Sequence, residues 1–280
     1  MSGIILGLLA ETSIHPGVGQ TDSAVDLPVA RERTTDYPYV PGSGFKGALK
    51  QKALEMGDST DELFGKQDSA GMVLISDARL LLLPVRSLTG AYKWLTCPHL
   101  VERYARDRKR EGLSDAHGVD FASLSANHVI ARGDGKLFLE ERNFERMANQ
   151  DTPLDNLARF LGGVIANPAA RARLGSQLAV VSDNDFNWFA KHALPVDAHN
   201  TLEQETKISK SLWYEETLPP DTVMYGVVEE RTLLQKEAQS RDPSPLERVR
   251  RLFAENPYLR VGGNETTGQG WFHCRVVDSE

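Results

Sequence analysis

Five short apolar runs, near residues 4–10, 72–83, 177–182, 223–228 and 271–277, limit what this chain can fold into. Several are rich in Val, Ile and aromatic residues, the composition of β-strands. In the last, Phe272, Cys274 and Val276 alternate with Trp271, His273 and Arg275, which predicts one buried face and one available face. Between the runs the apolar period lengthens to that of a helix. Phe45, Ala48, Leu49, Ala53 and Met56 share a face of 43–56, and further helices are expected near 98–107, 153–162 and 184–193. The clearest is 244–255: Ser244 stands at the N-cap, Pro245 at the first helical position, and Glu247 closes a capping box. Leu246, Val249, Leu252 and Phe253 give it an apolar stripe. This strand–helix alternation is too irregular for a doubly wound parallel sheet. The expected class is α+β, a compact sheet carrying helices on one face. Two polar, charged and poorly periodic stretches, near 105–150 and 195–215, read as long insertions.

At 280 residues the chain is long enough for one large domain or two small ones. No apolar run approaches the roughly 20 residues that span a bilayer, so no membrane association is expected. The opening "MSGIILGLLAETSIHPG" lacks a positive n-region and an A-x-A-like cleavage site and reads as a first strand. Cys97 and Cys274 stand far apart with no C-x-x-C, which predicts neither a disulfide framework nor a thiolate zinc site. A cytoplasmic setting follows as the expectation. The net charge of −7 argues against a freestanding nucleic-acid binder, although a local basic groove can sit on an acidic body. The densest charge run, "RYARDRKREG" from Arg103 to Gly112, reads as a solvated helix face.

"YVPGSGFKGALKQKA" (39–53) contains a literal G-x-G-x-x-G in Gly42, Gly44 and Gly47. A dinucleotide fingerprint needs a strand running directly into the first glycine within a βαβ unit. Here Pro41 precedes Gly42, about forty residues of chain come first, and Lys46 is not followed by the Ser or Thr of a Walker A loop. What remains is a turn with free backbone N–H groups leading into a helix, with Ser43 available as its cap. Such an N-terminus attracts anions. Lys46 and Lys50 lie one turn apart beside the apolar face, the chemistry of a phosphate-backbone site without base readout. Near the other end, "LRVGGNETTGQGWFHCRV" places Gly262, Gly263, Gly268 and Gly270 within nine residues, next to Arg260. Glycines at that density permit positive φ and close backbone approach. Two glycine-rich turns, each beside a cation, suggest one polyanion lying across both.

"HPGVGQTDSAVDLPVARERTTDYPYVPGSGFKGALK", taken with "RVGGNETTGQGW", resembles the RAMP superfamily, and more narrowly the backbone subunits of type III-B CRISPR effectors, the Cmr complexes. "ISDARLLLLPVRSLTGAYKWLTCP" (75–98) and "LWYEETLPPDTVMYG" (212–226) support the same resemblance. It implies a single RAMP domain over 1–280, with an RRM-like, ferredoxin-like core and a projecting thumb-like hairpin. It also implies partners: a CRISPR guide RNA, a target RNA, further copies of the chain in a filament, and other Cmr-type subunits. The activity implied is endoribonuclease cleavage of the paired target at regular intervals, with Mg²⁺ or another divalent metal. Carried over residue by residue, Asp26 of "VDLPVARE" becomes the candidate for target cleavage and for metal binding, and His15 and Glu215 become further catalytic candidates. Thr217 stands where some relatives carry a tyrosine. Ser43, Lys46 and the Gly262–Gly270 loop would hold the guide backbone. The residue types suit the chemistry, because RNA brings its own 2′-OH nucleophile and needs alignment, deprotonation and charge stabilisation. A carboxylate can bind metal or act as base, and a histidine can move a proton near neutral pH. A second reading makes the chain a purely structural filament subunit. A third, a nucleotide-dependent oxidoreductase, requires a parallel βαβ unit at the start of the chain.

Overall fold

A computed structural model of the chain describes residues 3–22, 24–231 and 243–277. From β1 (Gly3–Ala10) the chain passes through a strap, described over 11–22 and 24–38, and a two-residue strand, Tyr39–Val40, into α1 (Gly42–Glu55). A hairpin of β2 (Ala78–Ser87) and β3 (Gly90–Thr96) follows, then α2 (Pro98–Arg110) and three short strands, β4 (His128–Ala131), β5 (Lys136–Leu139) and β6 (Arg142–Arg146). Next come α3 (Asp151–Gly162), α4 (Pro168–Gln177), β7 (Leu178–Val181) and α5 (Asp183–His192). The described chain ends with the hairpin β8 (Val196–Leu202) and β9 (Ser209–Glu216), then β10 (Val223–Glu230), α6 (Pro245–Ala254) and β11 (Trp271–Val277).

The central strands lie in the order β11–β1–β10–β2, and every neighbouring pair is antiparallel. Because β1 is antiparallel to both of its neighbours, no adjacent parallel strand pair opens the chain as a dinucleotide-binding βαβ unit requires, which removes the oxidoreductase reading. The fold is mixed α+β, as expected, but helices cover both faces of the sheet rather than one. The reason is visible in β1 itself, where "GIILGLLA" has no polar alternate. A strand that is apolar at every position must be covered on both sides. Ile4, Leu6 and Leu8 pack with Phe45, Leu49 and Ala53 of α1 and Leu246, Val249 and Leu252 of α6. Ile5 and Leu9 meet Val101 and Tyr104 of α2, Leu154, Leu157 and Leu161 of α3, and Leu174 of α4. In β11 Phe272 and Cys274 are buried as predicted. The opposite face is itself partly covered: His273 stacks on Tyr258, and Arg275 reaches the Ile165 carbonyl.

Beyond β2 the sheet continues β2–β3–β7–β4–β6–β5, and the Ser87–Leu139 bridge joins β5 back to β2. These six strands therefore form a closed ring, with Val85, Leu95, Leu137, Leu139, Phe144 and Ala179 among its buried residues. The stretch expected as an irregular insertion at 105–150 thus supplies half of the ring. Its strands run to only four or five residues, too short for a periodic signal. The charge run before it is not wholly a solvated face, since buried Asp107 accepts hydrogen bonds from Arg79 and, at 2.8 Å, from the Tyr225 hydroxyl. At 195–215 the expected insertion is the β8–β9 hairpin, whose Leu202, Ile208 and Leu212 are exposed. No helix among the described residues is long and apolar enough to cross a membrane.

Candidate functional site

Residues 11–22 and 24–38 are tied on both sides, so the strap between β1 and α1 holds its shape through isolated bridges. Ile14 bridges Leu218 and Gly17 bridges Val29, while Leu27 bridges Glu215 of β9. His15, 8% exposed, sits where these ties cross. Its Nδ1 lies 2.8 Å from the Glu216 carbonyl oxygen. A carbonyl only accepts, so Nδ1 carries a proton and, in the neutral tautomer, Nε2 is the nitrogen without one.

The glycine-rich loop before β11 docks onto this strap. The Gly263 N–H donates to the His15 carbonyl at 3.0 Å, and the Gly270 N–H to the Ser13 carbonyl at 3.0 Å. Gly262 has φ of 96°, and a Cβ there would fall 2.6 Å from the His15 oxygen. Only glycine fits this approach. The start of α1 closes the third side. Two adjoining cavities, of about 360 and 370 Å³, share Gly44, Val261 and Gly262; the first adds His15, Gly17 and Ser43, the second Lys52, Arg260 and Trp271. Residues of both glycine motifs thus line a groove made up of these two cavities.

Around the groove several cations and caps differ from expectation. Pro41, not Ser43, is the N-cap of α1; Ser43 lies within the first turn and caps nothing. The Gly42 N–H is already taken by Asp77, at 2.6 Å, while the N–H groups of Ser43 and Gly44 have no partner among the described residues. A Cβ on Gly44 or Gly47 would meet nothing within 4 Å, so this side of the helix is open. Lys46 is exposed and has no carboxylate partner among the described residues. Lys50 is engaged elsewhere, donating to Asp61 and to the Gly65 carbonyl, each at 3.0 Å. Lys52, absent from the sequence-based candidates, is buried with its Nζ 2.8 Å from the Tyr258 carbonyl, and burial holds its pKa below the ordinary lysine value. Arg260 lies over the Trp271 ring and pairs with Glu265. Gly268, with φ of 82° and nothing nearby, serves the turn itself.

The acids gather at the root of the β8–β9 hairpin. Asp26 is half-buried, and its Oδ2 accepts the Tyr214 N–H at 2.8 Å. Glu215, the next residue along β9, is 3% exposed. Its Oε1 accepts from the Asn264 side-chain amide and lies 3.9 Å from His15 Nδ1. Glu216 faces the other way, bonded to Arg31 and to the Val29 N–H. Alternation along the strand thus separates the roles of two adjacent glutamates. Glu216 fastens the strap, and Glu215 meets the glycine loop. The structure sets His15 and Glu215 3.9 Å apart and bridges Glu215 to Leu27, the residue after Asp26. No group of three His, Cys, Asp or Glu among the described residues is placed to hold a metal ion. Arg31 and Asn264 escaped that reading; only the polar residues flanking "DLPVARE" and "GGNETTGQG" hinted at them.

A groove floored by two glycine loops, with acids at the root of a projecting hairpin, defines the class, and the family comparison agrees. Residues 8–273 match the RAMP superfamily model, and the chain belongs to that superfamily. More particularly, it is 28% identical, over 97% of its length and 94% of the relative's, to the CRISPR system Cmr endoribonuclease Cmr4 of Pyrococcus furiosus. Its fold is similar to that in the crystal structure of oligomeric Cmr4 from Pyrococcus furiosus, with a TM-score of 0.78 at 23% identity, covering 100% of this chain and 99% of that one. It is also similar to a chain in the cryo-EM structure of the type III-B Cmr-beta bound to cognate target RNA. There the TM-score is 0.74 at 19% identity, and the match covers 99% of this chain and 97% of the other.

Proposed function

We propose that this chain is the repeating backbone subunit of a type III-B CRISPR effector, and that it binds a guide RNA and cleaves the paired target RNA at regular intervals. The observation that carries the reading is an open, glycine-lined groove whose His15 lies 3.9 Å from Glu215, itself bridged to the residue after the half-buried Asp26 at the root of an exposed hairpin. On this reading β1, α1, β2, β10, α6 and β11 are a ferredoxin-like core, since they give a β-α-β-β-α-β chain order and a 4-1-3-2 antiparallel sheet. The β8–β9 hairpin is the thumb, and its exposed Leu202, Ile208 and Leu212 suit insertion against bases.

Guide phosphates lie along the groove, held by Lys46, by the unpaired N–H groups of Ser43 and Gly44, and by the glycine loop. Sequence is read by base pairing. Lys50 contributes little, being committed to Asp61. Asp26 acts on the target at the scissile 2′-OH. Among the described residues only Oδ2 of its carboxylate is engaged, leaving Oδ1 to take a proton or a cation. Mg²⁺ suits such a site, because it commonly takes one or two carboxylates and completes its shell with phosphate and water. When bound, the ion supplies stabilisation of the charge developing on the phosphorane. Asp26 would be its ligand in this chain. His15 keeps Nε2 for proton transfer, and Glu215 fixes the back of the site. Reconstitution with guide RNA and labelled complementary RNA, with and without Mg²⁺, tests the reading. A regular ladder of products that needs the ion supports it. A complex that binds target and leaves it whole supports the purely structural filament subunit instead.

A further inference from the structure

The glycine loop that lines the guide groove also reaches the acids. Asn264 sits in the left-handed region at φ 61°, between Gly263 and the short 3₁₀ turn Glu265–Thr267. Its side-chain amide donates to Glu215 Oε1 and, at 3.2 Å, to Gln269 Oε1. Apart from His15 at 3.9 Å, it is the only described donor to this nearly buried carboxylate. A buried carboxylate without a donor is costly, so this bond fixes where Glu215 points. Glu215 shares β9 with Tyr214, whose N–H holds Asp26, and it is bridged to Leu27, the residue after Asp26. One unbroken path of hydrogen bonds and adjacent residues therefore runs from the groove loop to Asp26. The same loop holds the His15 and Ser13 carbonyls through Gly263 and Gly270.

We propose that Asn264 is a positioning residue: through Glu215 it ties the guide-binding loop to the Asp26 strap, so that a seated guide sets the geometry of target cleavage. The proposal rests on the function proposed above. Groups facing Glu215 are His15, the paired Asp197 of β8 and the strap at Leu27, while Glu216 is neutralised by Arg31. None of these replaces the amide.

The test uses the complex reconstituted with guide and target RNA. Asn264→Gly keeps the left-handed backbone and removes the amide; Asn264→Asp keeps shape and backbone preference and sets a carboxylate against Glu215. Both are expected to slow single-turnover target cleavage about tenfold or more, with guide and target affinities within about threefold of wild type. Because the effect passes through Glu215, Asn264→Gly combined with Glu215→Gln should be no slower than Glu215→Gln alone. Wild-type cleavage rates in both Asn264 variants overturn the proposal. So does a parallel loss of guide affinity, which would make Asn264 an RNA contact, or multiplicative effects in the double variant. A wild-type complex that binds target without cutting overturns the functional reading and this proposal together. Normal wild-type cleavage with unaffected variants overturns this proposal alone.

Discussion

The carboxylate of Asp26 accepts the backbone N–H of Tyr214 at 2.8 Å, across 188 residues of sequence. This bond anchors an otherwise irregular strap to the root of the β8–β9 hairpin. The second carboxylate oxygen has no partner among the described residues. An aspartate whose only task was to satisfy a strand N–H would be replaceable by any acceptor. Asparagine keeps an oxygen for Tyr214 and loses the charge, which makes Asp26→Asn a substitution that separates anchoring from chemistry. The isolated Asp26→Asn chain should unfold within about 1 kcal/mol of wild type. Denaturant midpoints measure this, and a large destabilisation would assign Asp26 to the fold.

Lys46 and Lys50 are one turn apart yet should behave differently. Lys46→Ala removes an exposed cation that has no carboxylate partner among the described residues. It should weaken guide binding equally for all guide sequences and reduce the slope of log affinity against log salt by about 0.7–0.9. Lys50→Ala mainly breaks a surface pair with Asp61 and should change guide binding far less. Salt titrations of guide affinity separate the two, and equal slopes for both variants would contradict the assignment.

Glycine is required at one groove position and optional at another. Gly262→Ala forces a Cβ toward the His15 carbonyl at positive φ and should cost about 1–3 kcal/mol. Gly44→Ala lies in the first turn of α1 with open space around it and should be neutral or slightly stabilising. Urea midpoints of the two variants give the comparison; a tolerated Gly262→Ala would mean that the loop does not dock on the strap.

Glu111 predicts a pH dependence. Burial pushes its carboxyl above the ordinary glutamate value, and Glu229 beside it adds to the rise, against the lowering effect of Arg110. The folded chain therefore holds the proton more tightly than the unfolded chain, and stability falls as pH rises above the ordinary pKa of about 4.3. Glu111→Gln removes this dependence. Its thermal midpoint relative to wild type should rise as pH increases above about 4.3, whereas a constant offset would contradict the assignment.

Much of this architecture is legible in the residues because local signals agree there. Ser244, Pro245 and Glu247 mark the start of α6, and the Ser244 hydroxyl does accept the Glu247 N–H, at 3.2 Å. The strand runs at 4–10, 223–228 and 271–277 survive almost unchanged as β1, β10 and β11. What eluded the sequence depends on contacts across long separations. Strands β4, β5 and β6 carry too few alternating residues to register, and their ring exists only because β7 and β2 lie beside them. By spacing Met56 shares the face of Phe45, Leu49 and Ala53, but it falls just past the helix end and is exposed, whereas Lys52 is buried and bonded to the Tyr258 carbonyl. At the site, the resemblance supplied Asp26, His15 and Glu215. The bonds from Arg31 to Glu216 and from Asn264 to Glu215 span 185 and 49 residues, distances over which no local pattern speaks.

The central claim, that each copy of this chain cuts the target with its own Asp26, is tested most directly by mixing wild-type and Asp26→Asn protein in one reconstituted filament. Identical subunits related by one repeated rotation and translation must present identical strands to the target at equal intervals. Wild-type protein alone should give an evenly spaced ladder of products, and Asp26→Asn protein alone should bind target and give none. Mixtures should weaken individual bands in proportion to the variant fraction without moving them. Bands that shift position, or a ladder undiminished by the variant, would place the cleaving residue elsewhere.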